Sequence, residues 1–268
     1  MKKYISSILF CVVLIAALIC IILNSGSIVP DNTVIRTFDE ETLYLQYDTS
    51  QTSNTTSASL NKCETQTYAT KKIIAVPNFC QYPELPTGRE ATCAAMVLRY
   101  YGVNTTPSDF AAHRLECSSD FREVGGVLYG PNPDKVFVGS PFSESSYGCY
   151  AQPIVNAVNN GFAQCSAEKI TGMTLSKLCR LFIDNDKPLL VWATMEMRES
   201  QKGNTWTLND GSEFTWIAGE HCLVLVGYDE SSYYMNDPRS GDTLPYPKKI
   251  AEKRFAEIGI QAVMIQRK

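Results

Sequence analysis

The stretch "HCLVLVGYD" (221–229) constrains this chain more than any other. It is a short, continuous apolar run that ends on turn residues, the pattern of a strand covered on both faces. Such a strand belongs inside a sheet rather than at its surface. The next stretch, "SSYYMNDP" (231–238), follows after the shortest of turns and reads as its antiparallel partner. "KPLLVWATM" (187–195) is a second buried strand, and "QAVMIQRK" (261–268) is a terminal one.

Helical patterns come mostly earlier. "LPTGREATCAAMVLRYYGV" (85–103), "TPSDFAAHRLE" (106–116), "QPIVNAVNNG" (152–161) and "TLSKLCRLFIDND" (174–186) precede the main strands, and "IAEKRFAEIG" (250–259) lies among them. Residues 118–148 are rich in Gly, Pro, Ser and Asp and read as a long irregular loop. Helices first and strands late predict an α+β fold, with N-terminal helices packed on an antiparallel sheet.

The first helix is bounded at both ends. Thr87 and Glu90 have the T-x-x-E spacing of a capping box, and Gly102 follows the last apolar residues as a stop. Between the cap residues stands Arg89. A cation in the first turn opposes the helix dipole and costs roughly 0.3–1 kcal/mol. A local violation of this kind is expected at functional positions.

Histidine is the natural search target for chemistry near neutral pH. The chain has two. His113 lies among charged neighbours on a short helix and reads as a surface residue. His221 opens the apolar strand, and Asp237 ends the return strand, so a hairpin brings both to one end of the sheet. A carboxylate there can orient an imidazole. The register is an obstacle. A symmetric turn at Glu230–Ser231 sets His221 opposite Ser240, so the pairing must slip or bulge for the imidazole to meet Asp237.

A thiol nucleophile works best at a helix N-terminus, where free N–H groups and the dipole lower its pKa. A glutamine just upstream supplies an oxyanion donor. Gln81 sits in the loop ahead of the capped helix, as such a donor would.

The stretches "VPNFCQYPELPTGREATCAAMVLRYYG", "SYGCYAQPIVNAVNN", "KPLLVWATM" and "GEHCLVLVGYDESSYYMNDP" together resemble the bacteriocin-processing, double-glycine leader peptidase-like family of papain-fold cysteine peptidases. The likeness covers residues 72–268 and is closer to the stand-alone, cell-surface branch than to the domain fused to transporters. It implies a papain-like fold and a Gln–Cys–His–Asp constellation, with Gln81 as oxyanion donor, His221 as base and Asp237 as orienting carboxylate. The nucleophile does not carry over. The family's "PTGCE" stands here as Pro86-Thr87-Gly88-Arg89-Glu90, so Arg89 occupies that slot. Its guanidinium stays protonated and cannot attack a carbonyl. Arg89 could instead reach Asp237 and fill the site with an ion pair.

The resemblance therefore implies a peptidase-like domain impaired or inactive in peptide-bond hydrolysis. Two alternatives stand beside it. One is an active thiol peptidase using Cys93, which shares the helix face of Arg89 but lies about 6 Å further along the axis. The other is a non-catalytic peptide-binding or structural surface domain. The implied partner is a peptide in an extended conformation, and no metal or organic cofactor is implied.

Composition narrows the rest. The net charge of -4 and the absence of phosphate-binding glycine motifs argue against nucleic acid as a partner. Of ten cysteines, none form a C-x-x-C pair, which disfavours a zinc ribbon. The chain opens on two lysines and an apolar run from Ile5 to Leu23, close to the roughly 20 residues that cross a bilayer. Residues 1–23 are thus expected to form a single transmembrane anchor or uncleaved signal. With the positive flank first, the remainder faces away from the cytoplasm. Residues 24–71, including "DTSQTSNTTSASLN", read as a polar tether, and 72–268 as the folded domain.

Overall fold

The computed structural model describes residues 70–268, so the expected anchor at 1–23 and nearly all of the expected tether lie outside the described residues. In chain order the elements begin with strand β1 (Lys72–Ile73), helix α1 (Arg89–Tyr100) and helix α2 (Pro107–His113). Four short strands follow: β2 (Cys117–Ser118), β3 (Arg122–Val124), β4 (Val127–Tyr129) and β5 (Phe137–Val138). Then come α3 (Ala151–Gly161), β6 (Cys165–Thr171), α4 (Leu175–Leu181), β7 (Leu189–Thr194), β8 (Gln201–Thr207) and β9 (Glu213–Ala218). The chain ends with β10 (Glu220–Tyr228), β11 (Ser232–Asp237), β12 (Asp242–Pro247), α5 (Lys248–Glu257) and β13 (Gln261–Arg267). Among the described residues no helix is long and apolar enough to cross a membrane.

The principal sheet runs β12-β11-β10-β7-β13-β6, with β1 pairing the end of β10. Its named pairs are antiparallel. Every residue of β7 and β10 is buried, as their unbroken apolar patterns require. Helix α1 packs across β10 and β7 and buries nine of its residues, from Glu90 to Leu98. The α+β expectation is met, with a papain-like arrangement of a buried helix on an antiparallel sheet.

Two local expectations need correction. The capping box does not form: α1 has Gly88 as its N-cap and no side-chain cap. The Thr87 hydroxyl instead faces two distant carbonyls, Ser143 at 2.8 Å and Ser140 at 3.2 Å, with one proton to donate, and Glu90 accepts from the Cys149 N–H at 3.0 Å. Both residues serve tertiary contacts that a local motif cannot anticipate. Helix α2 is capped by Thr106, which accepts from the Asp109 N–H. Residues 118–148 are not one irregular loop, since they hold β3, β4 and β5. With β8 and β9, β3 and β4 build a second sheet of order β3-β4-β8-β9. Its face carries Trp206, Phe214 and Trp216, packed against Phe121, Tyr147 and Tyr150.

Candidate active site

The β10–β11 hairpin resolves the register problem with a bulge. Near the turn, Tyr228 pairs with Tyr233 and Gly227 with Tyr234; beyond it, Leu225 pairs with Met235 and Val224 with Asn236. The extra residue on β10 shifts the register by one. One further step sets Asp237 opposite Leu223, on the same face as His221 and two residues along. Without the shift Asp237 would face the other side of the sheet, because side chains alternate. Asp237 Oδ1 lies 2.8 Å from His221 Nε2.

The Asp237 carboxylate is held from three directions. Besides the imidazole, Oδ1 accepts from the Arg239 N–H at 2.8 Å and Oδ2 from the Tyr246 hydroxyl at 3.1 Å. These donors outweigh the cost of burial and hold its pKa below the usual carboxylate range. For His221 the balance goes the other way. Burial lowers its pKa despite Asp237, and the charge of Arg89 lowers it further. Burial thus favours the neutral imidazole, and in that form an ionised Asp237 calls for the proton on Nε2. Its Nδ1 is buried and has no partner among the described residues.

Gln81 is tied to the same corner. Its backbone N–H donates to the Pro238 carbonyl at 2.7 Å, one residue past Asp237. Its side-chain amide donates to the carbonyls of Leu85 (3.2 Å) and Pro86 (2.8 Å), so both of its N–H bonds are engaged. Gln81, Arg89 and His221 all line one cavity of about 270 Å³, along with Tyr82, Met195, Trp216, Glu220 and Arg239. Asp237 stands behind His221 rather than in the cavity wall. His113 is exposed and remote from this chemistry in role, as its sequence context indicated.

Arg89 is the first residue of α1. It does not bond to Asp237, contrary to the ion pair considered from sequence. Its Nε and Nη2 donate to Glu220 Oε2 at 3.0 and 2.6 Å, and Nη2 also donates to the Tyr147 carbonyl. Glu90 lies alongside, 3.7 Å from Nε. Gly148 makes room for this group: its φ is +133°, and a Cβ there would fall 2.4 Å from Glu90 Oε1 and 2.8 Å from Arg89 Nη2. Two buried carboxylates thus face one guanidinium. Burial and the neighbouring Glu90 charge lift Glu220 to about 8. Its Oε1 has no hydrogen-bond partner among the described residues.

Glu220 was missed by sequence reasoning. The available signal was its place, a charged residue at the head of an apolar strand and next to the histidine. Cys93 is fully buried, donates to the Cys222 carbonyl at 3.3 Å and does not line the cavity. Burial pushes its thiol pKa up. A shifted Cys93 nucleophile would thus have no contact with the cavity, and burial disfavours its thiolate.

The model of the Peptidase_C39 like family matches residues 73–263. The uncharacterized protein YvpB of Bacillus subtilis (strain 168) is 28% identical over 216 residues, spanning 80% of this chain and 83% of that one. A crystal structure assigned to a C39-like peptidase from Bacillus anthracis superposes with a TM-score of 0.64 at 28% identity, covering 74% of this chain and 98% of that chain.

Proposed function

The chain belongs to the Peptidase_C39 like family, and we propose that within it this domain is a catalytically silent member that holds an extended peptide in its cleft without cutting it. The observation that carries this reading is the Arg89–Glu220 contact. The nucleophile position is filled by a guanidinium with two donors on one carboxylate oxygen. Such a side chain has no lone pair to attack a carbonyl and cannot be made nucleophilic by His221. The neutral imidazole also fits a site without a thiolate: burial outweighs the Asp237 carboxylate on Nε2, and no second anion faces Nδ1. Gln81, with both amide N–H bonds on backbone carbonyls, directs no donor at a substrate oxygen.

The same reading places the domain on the outer face of a membrane, held by the apolar run at residues 5–23. Its relation to bacteriocin-leader peptidases is then one of shared cleft and lost chemistry, in line with fold and activity being separable.

The test is Arg89→Cys in the full chain, challenged with a peptide bearing a thiol-directed electrophile. We expect one covalent adduct at residue 89 by intact mass and peptide mapping, and none on Cys93 in either protein. Labelling of Cys93, or peptide hydrolysis by the unaltered chain, would overturn the silent assignment. An inert Arg89→Cys protein that is still folded by circular dichroism would overturn the peptidase-type reading of the cleft.

A further inference from the structure

We propose that the outer edge of β9 is the docking rail for that extended peptide, which adds to the second sheet as a fifth strand and leads into the cavity. The inference rests on the peptide-binding reading above and supplies its mode.

Strand β9 is the last in the order β3-β4-β8-β9 and pairs only with β8. Apart from that ladder, no backbone hydrogen bond engages residues 213–218 among the described residues. In an antiparallel edge strand every second residue turns both its N–H and its C=O outward. Such a row is a ready template for another chain.

Proteins normally blunt their edges with charges, prolines, bulges or short length. The other edges of this domain show these devices. Strand β12 contains Pro245 and Pro247 and starts at Asp242, and β6 carries Glu168 and Lys169. Strand β3 has three residues, two of them Arg122 and Glu123. Strand β9 reads EFTWIA, with six residues, no proline and a single charge at its far end. Its ladder is irregular only on the β8 side, between Lys202 and Thr205. Among the described residues it is the one edge of this length without protection.

Its position favours a peptide over a second copy of this chain. The strand runs through Gly219, at φ +80°, directly into Glu220 and His221. Trp216 of β9, Gly219, Glu220 and His221 all line the cavity. A flexible segment paired along β9 therefore continues into the cavity beside Arg89. Backbone pairing would supply affinity, and the cavity beside Trp216 would select a side chain.

The experiment is amide hydrogen exchange on the full chain with millimolar mixtures of capped, sequence-degenerate octapeptides. A second pair of mixtures carries N-methyl groups on alternate peptide amides, one for each alternation. We expect the unmethylated mixture to slow exchange in residues 213–218 by about tenfold or more, and one of the methylated mixtures to lose that effect. Protection confined to other cavity-lining segments would overturn edge docking and leave the peptide reading intact. No protection anywhere would overturn both. Protection of 213–218 that grows with protein concentration in the absence of peptide would assign the edge to self-association and overturn the peptide assignment.

Discussion

Arg89 and Glu220 meet through a single carboxylate oxygen, with Nε at 3.0 Å and Nη2 at 2.6 Å from Oε2. Both side chains are nearly or wholly removed from water, at 11% and 0% exposure. The contact joins the first turn of α1 to the head of β10, the two elements that carry Arg89 and His221. A buried pair of this kind adds little over a well-packed apolar pair, but removing one partner strands the other charge. Here the guanidinium serves two carboxylates.

Arg89→Ala leaves Glu220 and Glu90 buried without a cation. Losing one partner of a buried pair costs roughly 3–5 kcal/mol. The loss should be largest above pH 8 and smaller in acid, where the carboxylates take up protons instead of remaining charged. Urea denaturation at two pH values measures both figures. A uniform loss below about 1 kcal/mol, in the range of exposed pairs, would show that the contact is incidental.

Glu220 also sets a pH dependence. Its folded pKa of about 8 lies above the ordinary 4.5. The folded protein thus holds a proton that the unfolded chain has released. Its contribution to stability is complete below pH 4.5 and is lost as pH rises through 8. His221 acts oppositely: its pKa is lowered from 6.5 by burial, so unfolding takes up a proton in acid. Its contribution is present above pH 6.5 and is lost as pH falls through the lowered value. The melting temperature should therefore decline from neutral to alkaline pH, and Glu220→Gln should flatten that decline while leaving the acid side in place. An unchanged alkaline slope in Glu220→Gln would place the titration elsewhere.

The fold was legible where pattern alone decides burial. Strands β7, β10 and β13 stand out by their apolar runs, and β11 by its place directly after the turn that ends β10. Strands β8 and β9 did not, because "QKGNTWT" and "EFTWIA" are half-exposed and their aromatics pack on Tyr147 and Tyr150 from a distant segment. Gln81, Arg89, His221 and Asp237 could be picked out by motif. What decides that His221 meets Asp237 is the one-residue bulge after Leu225, and nothing in "LVLVGYD" marks it beyond Gly227. That glycine is needed: a Cβ there would lie 2.4 Å from the Lys72 carbonyl oxygen of β1. The misread cap at Thr87 and Glu90 has the same origin, since their partners Ser140, Ser143 and Cys149 lie more than fifty residues away.

Tyr246 holds the far oxygen of Asp237 from β12, at 3.1 Å, and both groups are buried. A hydrogen bond to a charged group contributes about 1.5–3 kcal/mol, and at this length the lower end is expected. Tyr246→Phe should lower stability by about that amount and raise the Asp237 pKa from its depressed value, since one donor to the ionised form is gone. The stability that Asp237 contributes is present above pH 3.8 and is lost as pH falls through its folded value. In the variant that loss begins at higher pH. Carbon-detected NMR titration of the Asp237 carboxyl reads the shift directly, and an unmoved titration would mean that Tyr246 only packs.

The thiols provide the last check on which cysteine faces solvent. All seven cysteines among the described residues are free. Cys80 and Cys117 are exposed, while Cys93, Cys149, Cys165, Cys179 and Cys222 are buried. Partial burial and the nearby carboxylates of Glu90 and Glu116 hold the Cys117 thiol up at about 11, which leaves little thiolate at neutral pH. Cys80 should therefore be the first of the seven to react with a chromogenic disulfide reagent, with Cys117 slower and Cys93 silent until the protein unfolds. Peptide mapping after timed quenching assigns each modification. Rapid modification of Cys93 in the folded chain would contradict its place beneath the Cys222 carbonyl, and with it the view that the cleft of this domain contains no usable nucleophile.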